Sequence, residues 1–318
     1  MVIHYTPALV EGVVLEAIRR QEAMGHSALS AEYHRLVDPI YERPAVERDA
    51  LFHAVHVRLF EGLKFSEIVW QALGEYPDLT GRVEAVVVTT ATRRDEGADL
   101  SRESLHPSSA PTIVIKVRPE RFFDPSRFRR FLRHELMHIQ DMLDPAFGLT
   151  PESRLPDGSP TEITMLKDRY RMLWDLSIDA RLVRIGKETV SGRDERYVEF
   201  RVLYRKLDPT QVETVFAWLW QTDRPSHEEL VGMARDVRTL LERIGCPAED
   251  PRSGPRTPMP GASCPLCRFS TFDWAEDVET LPEEALDAIL ADYPEWTPDE
   301  GACERCIEAY RARVGLWL

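Results

Sequence analysis

Apolar residues recur at three- and four-residue spacing along most of the chain, a pattern typical of amphipathic helices. Residues 1–80 show it in the runs VEGVVLEAIRRQ and ERDALFHAVHVRLFEGL. Two runs rich in β-branched residues, Val83 to Thr90 and Thr112 to Val117, predict strands. The polar stretch between these runs predicts a surface loop. Together the patterns predict an α+β fold that is mainly helical and carries a small sheet.

Capping residues predict where several helices begin. Asp124 is suited to cap a helix and Pro125 to occupy its first turn, where a missing N–H costs nothing. This helix is predicted to end near Leu143. The same kinds of signal predict three later helices: residues 163–185, a helix starting at Asp208-Pro209, and a helix from Ser226 to Ile244.

The length of the chain, 318 residues, suits about two domains. Five prolines within residues 246–262 predict a linker. We therefore expect an N-terminal helical region over residues 1–80, a central domain over residues 81–245, and a small C-terminal domain over residues 263–318.

The predicted helix that begins at Pro125 contains the motif His-Glu-Leu-Met-His at residues 134–138. Its two histidines, four residues apart, share one face of the helix and can bind one metal ion. Glu135 lies beside them and can take a proton from a metal-bound water. The structural alternative is a helix with two surface histidines and a salt-bridged glutamate.

A strand followed by a helix with this motif resembles the zincin metallopeptidases, over about residues 81–190. The resemblance implies a small sheet whose edge strand, matched by Thr112–Val117, holds an extended substrate, and an active-site helix over residues 125–144. It implies a zinc-dependent hydrolase that cleaves a peptide or protein through a zinc-activated water, with Glu135 as the general base. Oxyanion stabilisers are not ranked by the sequence; the candidates are Tyr170, Tyr197, Tyr204, His227 and the arginines.

A catalytic zinc needs a third protein ligand and an open position for water. Asp144 has a suitable spacing from His138, but it points away from the histidines if the helix continues. Asp141 lies near the histidine face and can support the site from outside the ligand set. The better source of a ligand is the next predicted helix, which carries Asp175 and Asp179 one turn apart on an apolar face.

The spacing of Asp175 and Asp179 resembles the ExxxD pair of the gluzincins, with Asp replacing Glu. In that family the first acid binds zinc and the second orients a histidine, which favours Asp175 as the ligand. Asp179 lies deeper in the apolar face, and on this ground we narrowly prefer Asp179 as the ligand. The structural alternative is that both aspartates bond Arg171 or Arg181.

Four of the five cysteines form two CxxC pairs, separated by 35 residues. Two such pairs predict a structural zinc site with Cys264, Cys267, Cys303 and Cys306 as ligands. The layout resembles a treble-clef zinc knuckle with a helical insert, and the alternative is a redox-active CxxC. With the histidine site, we expect two zinc ions per chain, one catalytic and one structural. Cys246 is expected to be a plain buried or linker thiol.

Charge argues against nucleic acid as a partner. The net charge is −14, and residues 263–318 hold 13 acidic and four basic residues. A zincin with a C-terminal zinc module resembles the Spartan-like proteases of protein–DNA crosslinks, but an acidic surface repels phosphates. The acidic module is instead expected to contact a protein partner or shield the active site. A basic cluster that could face it comprises Arg127, Arg129, Arg130 and Arg133.

Two expectations complete the sequence analysis. The chain has no run of 18 apolar residues and no signal-peptide pattern at its start, so we expect a cytoplasmic protein without a membrane span. A second functional hypothesis is a zincin fold that binds or regulates a protein without turnover. His53 and His56 are expected to be packing or surface histidines.

Overall fold

The computed structural model describes residues 1–92, 95–101, 110–150, 153, 160–204, 207–245, 260–275, 278, 281–294 and 296–315. Within these residues the chain is mainly helical with one four-stranded sheet, which confirms the predicted α+β class. It forms two compact units. The first comprises Met1–Leu149 and Ile178–Arg193, and the second comprises Thr150–Ser177 and Asp194–Leu318.

The sheet belongs to the first unit. Its strands are β1 Val2–Tyr5, β2 Ala85–Thr90, β3 Gly97–Ser101 and β4 Thr112–Val117, in the spatial order β1-β2-β4-β3. The β1–β2 and β2–β4 pairs are parallel, and the β3–β4 pair is antiparallel. Because β4 lies between two strands, the expectation that it forms the edge of the sheet is wrong; β3 forms that edge.

Strand β3 also corrects the prediction of a surface loop between the two β-branched runs. Its sequence, GADLS, is polar and short, and the strand is only partly buried. An edge strand has a single neighbour and a solvent-facing side, so it needs no continuous apolar run. Strand β1 was not predicted either, because it has only four residues and directly precedes a long helical pattern.

The first unit also contains six helices among its described residues, of which the first and the sixth pack against the sheet and the others pack on those two helices or on one another. They are α1 Pro7–Ala23, α2 Ala28–Val37, α3 Ala45–Gly62, α4 Glu67–Gly74, α5 Pro77–Thr80 and α6 Pro125–Leu143. The β-branched residues of the two central strands form much of the core, and Val86, Val88, Ile113 and Ile115 are fully buried. This burial drives the sheet and the helices together.

Helix α6 confirms the predicted motif-bearing helix. The Asp124 carboxylate accepts a hydrogen bond of 3.0 Å from the Arg127 backbone N–H, and Pro125 occupies the first turn. The helix buries an apolar stripe: Phe128, Leu132, Leu136 and Ile139 are each 0% exposed. Because this stripe faces the core, the position of the motif relative to the sheet is set by packing.

The next helix, α7 Pro160–Arg184, agrees with the predicted helix over residues 163–185. It is continuous across the division between the two units, which falls between Ser177 and Ile178.

The remaining helices of the chain are α8 Arg193–Leu203, α9 Pro209–Gln221, α10 His227–Arg235, α11 Val237–Arg243, α12 Glu283–Asp292 and α13 Glu304–Arg313. Both predicted starts are confirmed, since Asp208 and Ser226 form capping boxes. The single helix predicted to reach Ile244 is interrupted, because Asp236 adopts an extended conformation between α10 and α11. Helix α8 was not predicted from the sequence.

The C-terminal segment has a small core of its own, made of Cys264, Leu266, Ile289, Trp296, Ile307 and their neighbours. Cys246 and residues 247–259 of the predicted linker lie outside the described residues, so the domain boundaries placed there stay a prediction. None of the described helices combines the length and the apolar character needed to cross a membrane.

Candidate metal centres

The two motif histidines point the same ring nitrogen toward one another. The Nε2 atoms of His134 and His138 lie 3.2 Å apart. Two nitrogens bound to one tetrahedral zinc at 2.0–2.1 Å would be about 3.3 Å apart. His134 is buried and His138 is half-buried, as expected for ligands at the floor of an accessible site. The pair therefore fits a metal ion held by both Nε2 atoms.

The second ring nitrogen of His134 is engaged by a buried carboxylate. His134 Nδ1 lies 2.9 Å from Oδ1 of Asp179, which is 0% exposed. A carboxylate can only accept, so Nδ1 carries the proton and Nε2 keeps its lone pair for a metal. Thr189 Oγ1 donates to the same Asp179 oxygen.

The first aspartate of the pair joins the histidines. Ligand atoms of His134, His138 and Asp175 all lie within 4.8 Å of one another, so the three could hold a metal ion. Asp175 is one helical turn before Asp179 on the continuous helix α7. Which of the two aspartates would bind the metal stays a prediction.

The alternative in which the two aspartates bond Arg171 or Arg181 holds in part, because Asp175 lies near Arg171. Asp175 Oδ2 lies 3.8 Å from Arg171 Nε and 3.9 Å from Arg196 Nη1. Arg181 instead pairs with Asp141, which is 1% exposed, through a hydrogen bond of 2.8 Å from Nη1. The Arg181–Asp141 pair ties α7 to α6.

Glu135 lies next to the histidines but outside the candidate ligand group. Its Oε2 accepts a hydrogen bond of 2.9 Å from the backbone N–H of Ala98, on the edge strand β3. This hydrogen bond orients the Glu135 carboxylate, which is not one of the candidate metal ligands. Asp144, at the end of α6, accepts a bond of 2.9 Å from the Ala146 backbone N–H and is not a member of the candidate ligand group.

An ion-pair network anchors α6 just before the motif. Glu75 accepts hydrogen bonds from Arg133 and from Lys187, whose Nζ is 2.9 Å away. Burial alone would raise the pKa of Glu75, but these bonds outweigh burial and lower it. Tyr76 donates a bond of 2.8 Å to the Arg133 carbonyl. The residue preceding His134 is therefore fixed on both its side chain and its backbone.

Several arginines of the basic cluster also have partners within their own unit. Arg133 binds Glu75, Arg127 lies 3.5 Å from Asp124, and Arg129 donates to Gln71. These contacts give three of the four cluster residues a partner within the first unit.

The candidate oxyanion stabilisers are engaged in packing and hydrogen bonds of the second unit. The Tyr170 hydroxyl and His227 Nδ1 are 2.8 Å apart, and burial lowers the pKa of His227. Tyr204 stacks on Phe200 and is 2% exposed, and burial raises its pKa. No ranking among the candidates emerges from these contacts.

The His53–His56 pair gives no sign of a further metal site among the described residues. His56 is buried, its Nε2 lies 3.3 Å from the Tyr33 hydroxyl, and the two rings stack. Burial lowers the pKa of His56. The packing interpretation of His56 agrees with these contacts.

The four CxxC cysteines converge on one point. Their Sγ atoms all lie within 4.8 Å of one another, with 4.0 Å between Cys264 and Cys306 and 3.8 Å between Cys267 and Cys303. Thiolates bound tetrahedrally to one zinc at 2.3 Å would be about 3.8 Å apart. All four are free thiols. The cluster therefore fits a metal ion better than a redox-active pair.

Local backbone structure holds each of the two CxxC pairs in place. The first pair lies in a tight turn, in which Cys264 N–H bonds the Phe269 carbonyl and the Arg268 N–H bonds the Cys264 carbonyl. The second pair begins α13, because Cys303 directly precedes its first residue. Burial raises the pKa of the Cys267 thiol, but bonds from the Phe269 backbone and the other three cysteines outweigh it and lower the pKa to about 7. Burial raises the pKa of the Cys303 and Cys306 thiols in the same cluster.

An open groove of about 440 Å³ runs beside this cluster. Three of its lining residues, Asp273, Glu304 and Glu308, form no ion pair with another described residue. Phe269, which also lines it, is 67% exposed. Arg305 also lines the groove, and its guanidinium lies over the Phe269 ring. The groove therefore combines three acidic side chains with one basic side chain and an exposed aromatic ring.

No known protein family, curated protein or solved structure matches this chain. The described residues define a mainly helical α+β protein with two separate groups of side chains that could each hold a metal ion.

Proposed function

We propose that the protein is a zinc-dependent metallopeptidase that uses the His134–His138 site. The observation that carries this proposal is the separation of roles in the site. The Nε2 atoms of His134 and His138 face one another at 3.2 Å, while Glu135 lies alongside them, held by the Ala98 N–H. A purely structural metal site has no need of an acid placed next to its ligands.

In this proposal His134, His138 and Asp175 hold the zinc, and Asp179 orients the His134 ring. A bound zinc would lower the pKa of a water and polarise the carbonyl of the scissile peptide bond. Glu135 accepts the proton of the attacking water at its carboxylate and returns it to the nitrogen of the departing amine. The substrate is a peptide or protein, and β3, whose outer edge lies beside Glu135, is suited to pair with an extended chain.

The four-cysteine site takes the second zinc in this proposal and has a structural role. Four thiolates leave no open coordination position, and the metal would supply folding energy to a segment with a small core. Free thiols persist in a reducing compartment, which supports the proposed cytoplasmic location.

The protein partner expected at the acidic C-terminal segment stays a prediction. Support comes from the groove lined by Asp273, Glu304 and Glu308, which form no ion pair within the described part of the chain and outnumber the basic lining residue Arg305. Such a surface suits a basic protein segment rather than a nucleic acid. Salt-sensitive binding of a basic peptide that is lost in the Glu304→Gln/Glu308→Gln variant would support this partner, and equal binding by the variant would contradict it.

Glu135→Gln tests the proposed activity. The variant should keep its zinc and its fold but lose at least about 100-fold in hydrolysis, because Glu135 is the base and not a ligand. The measurement is cleavage of an unbiased peptide library, compared with wild type and with Glu22→Gln, which makes the same change at an exposed position of α1.

The outcomes separate the functional hypotheses. Cleavage by wild type and by Glu22→Gln, but not by Glu135→Gln, supports the peptidase. Equal cleavage by all three removes Glu135 from the role of base. Zinc binding without cleavage of any peptide by wild type favours the binding or regulatory module.

A further inference from the structure

The loop over residues 186–191, directly after α7, is fixed at its start by the way the helix ends. Gly186 has a φ of 71°, a conformation that favours glycine. The Gly186 N–H bonds the Val183 carbonyl and the Lys187 N–H bonds the Leu182 carbonyl, each at 2.9 Å. This pattern of a helix end turns the loop back along the helix that it follows.

Thr189 in this loop contacts the carboxylate that orients His134. Its Oγ1 donates to Asp179 Oδ1, the oxygen that also accepts from His134 Nδ1 at 2.9 Å. The Ser191 carbonyl, the other acceptor near this hydroxyl, is farther away at 3.4 Å. A hydroxyl has a single proton, so Thr189 donates it to the nearer acceptor, Asp179.

The loop reaches His134 by a second route. Lys187 Nζ lies 2.9 Å from Glu75 Oε2, and Glu75 in turn binds the Arg133 guanidinium. Arg133 directly precedes His134 in α6. One short loop thus touches both the partner of the His134 ring and the anchor of the adjacent backbone.

We infer that residues 186–191 form a positioning element for the histidine metal site, with Thr189 as its main positioning residue. Asp179 is fully buried, and a buried carboxylate needs donors that hold it in one orientation. Thr189 supplies one such donor, and His134 supplies another. Without the hydroxyl, Asp179 gains rotational freedom and holds the His134 ring less firmly, which weakens the metal site.

This inference rests on metal binding by His134, one part of the proposed function, and not on peptide hydrolysis. Thr189→Val removes the hydroxyl at nearly constant shape, and Thr189→Ser keeps it. Val190→Thr is the matched control, because Val190 is an exposed neighbour in the same loop.

The first measurement is zinc affinity of the full-length variants by competition with a chromophoric chelator. We expect Thr189→Val to weaken one zinc site about 10-fold. Thr189→Ser and Val190→Thr should remain within about twofold of wild type, because both keep the Thr189–Asp179 hydrogen bond or its equivalent. Wild-type affinity in Thr189→Val would overturn the inference, whether or not the protein cleaves peptides.

The second measurement is the tautomer of the His134 ring, from ¹⁵N NMR of the metal-free protein. Wild type and Thr189→Ser should show a single Nδ1-protonated ring, and Thr189→Val a mixture with the other tautomer. A purely structural role for Thr189 would lower thermal stability but leave this signal unchanged, and that result would also overturn the inference. If Thr189→Val does not fold, Thr189→Ala carries the same two tests.

Discussion

At the scale of single residues, the central question is how two aspartates one helical turn apart divide their work. Asp179 is fully buried and bonded to His134 Nδ1, whereas Asp175 falls within the group of atoms that could bind a metal. A carboxylate that accepts from a ligand histidine supports the metal indirectly. Asp179, the deeper acid, lies at the ring nitrogen of His134 that faces away from His138, and the division of roles between the two aspartates stays a prediction.

Alanine variants of the two aspartates should consequently differ. Asp175→Ala should lose zinc from the histidine site outright, because it removes a ligand. Asp179→Ala should weaken affinity by about 10- to 100-fold, because the ring of His134 loses its orienting partner. Zinc retention during dialysis against a mild chelator measures the difference.

The reverse pattern, with Asp179→Ala empty and Asp175→Ala loaded, would restore Asp179 as the ligand. Full zinc in both variants would remove α7 from the site and return attention to Asp141, Asp144 or a more distant residue. Arg171→Gln, which removes the long ion pair of Asp175 at an exposed position, is the control.

At the scale of elements, α6 is held in place by contacts that precede its motif. Its buried stripe faces the core, and the Glu75 pairs with Arg133 and Lys187 join α4, α6 and the loop after α7. Edge strand β3 touches the same helix through the Ala98–Glu135 bond. The motif is thus positioned by a strand on one side and an ion-pair network on the other.

The Glu75 network predicts an acid dependence of stability. Its folded pKa lies below the ordinary value of 4.5, so its contribution is present above that value and is lost as pH falls through the lower, folded pKa. Glu75→Gln should lower the free energy of unfolding at pH 7 by about 1–3 kcal/mol. The loss of stability on acidification should be shallower in this variant than in wild type.

Urea unfolding at pH 7 and in the acid range measures this change, with Glu22→Gln as the exposed control. Parallel stability curves for wild type and Glu75→Gln across the acid range would show that Glu75 is not held ionised by its partners. A partial effect is expected, because the pKa of Glu96 is also lowered; burial opposes that lowering, and bonds to Arg121 and the Arg118 backbone outweigh it.

At the scale of the whole molecule, two groups of side chains that could each hold a metal ion occur in different parts of the chain. One depends on helices packed on a sheet, and the other lies within the small core of the C-terminal segment. Cys264 and Cys303 belong to that small core, and Cys267 and Cys306 pack against it, so a metal bound by all four would link the two CxxC pairs across the core.

Metal analysis should therefore find two zinc ions in wild type and one in Cys264→Ser. In the variant, amide hydrogen exchange should rise over residues 260–315 and stay low in the sheet of the first unit, since that sheet has its own buried core. Two zinc ions in Cys264→Ser, or one in wild type, would contradict the four-cysteine site. Ser263→Ala, beside the first cysteine, is the matched control.

The sequence by itself determined the features that depend on neighbours along the chain. Helical spacing and the Asp124 cap predicted α6, and placed His134 and His138 on one face with Glu135 beside them, because residues four apart meet on any helix. The two CxxC pairs likewise predicted which thiols would converge. Each of these features needs little more than local backbone geometry.

Only the tertiary structure decided which distant groups meet. Strand β3, with its polar GADLS sequence, is a strand because β4 pairs with it, and that pairing makes β3 rather than β4 the edge of the sheet. The roles of Asp175 and Asp179 depend on how α7 packs against α6, and Thr189 carries no motif that would reveal its bond to Asp179. Such contacts arise from burial and long-range packing, which depend on the folded arrangement rather than on spacing along the chain.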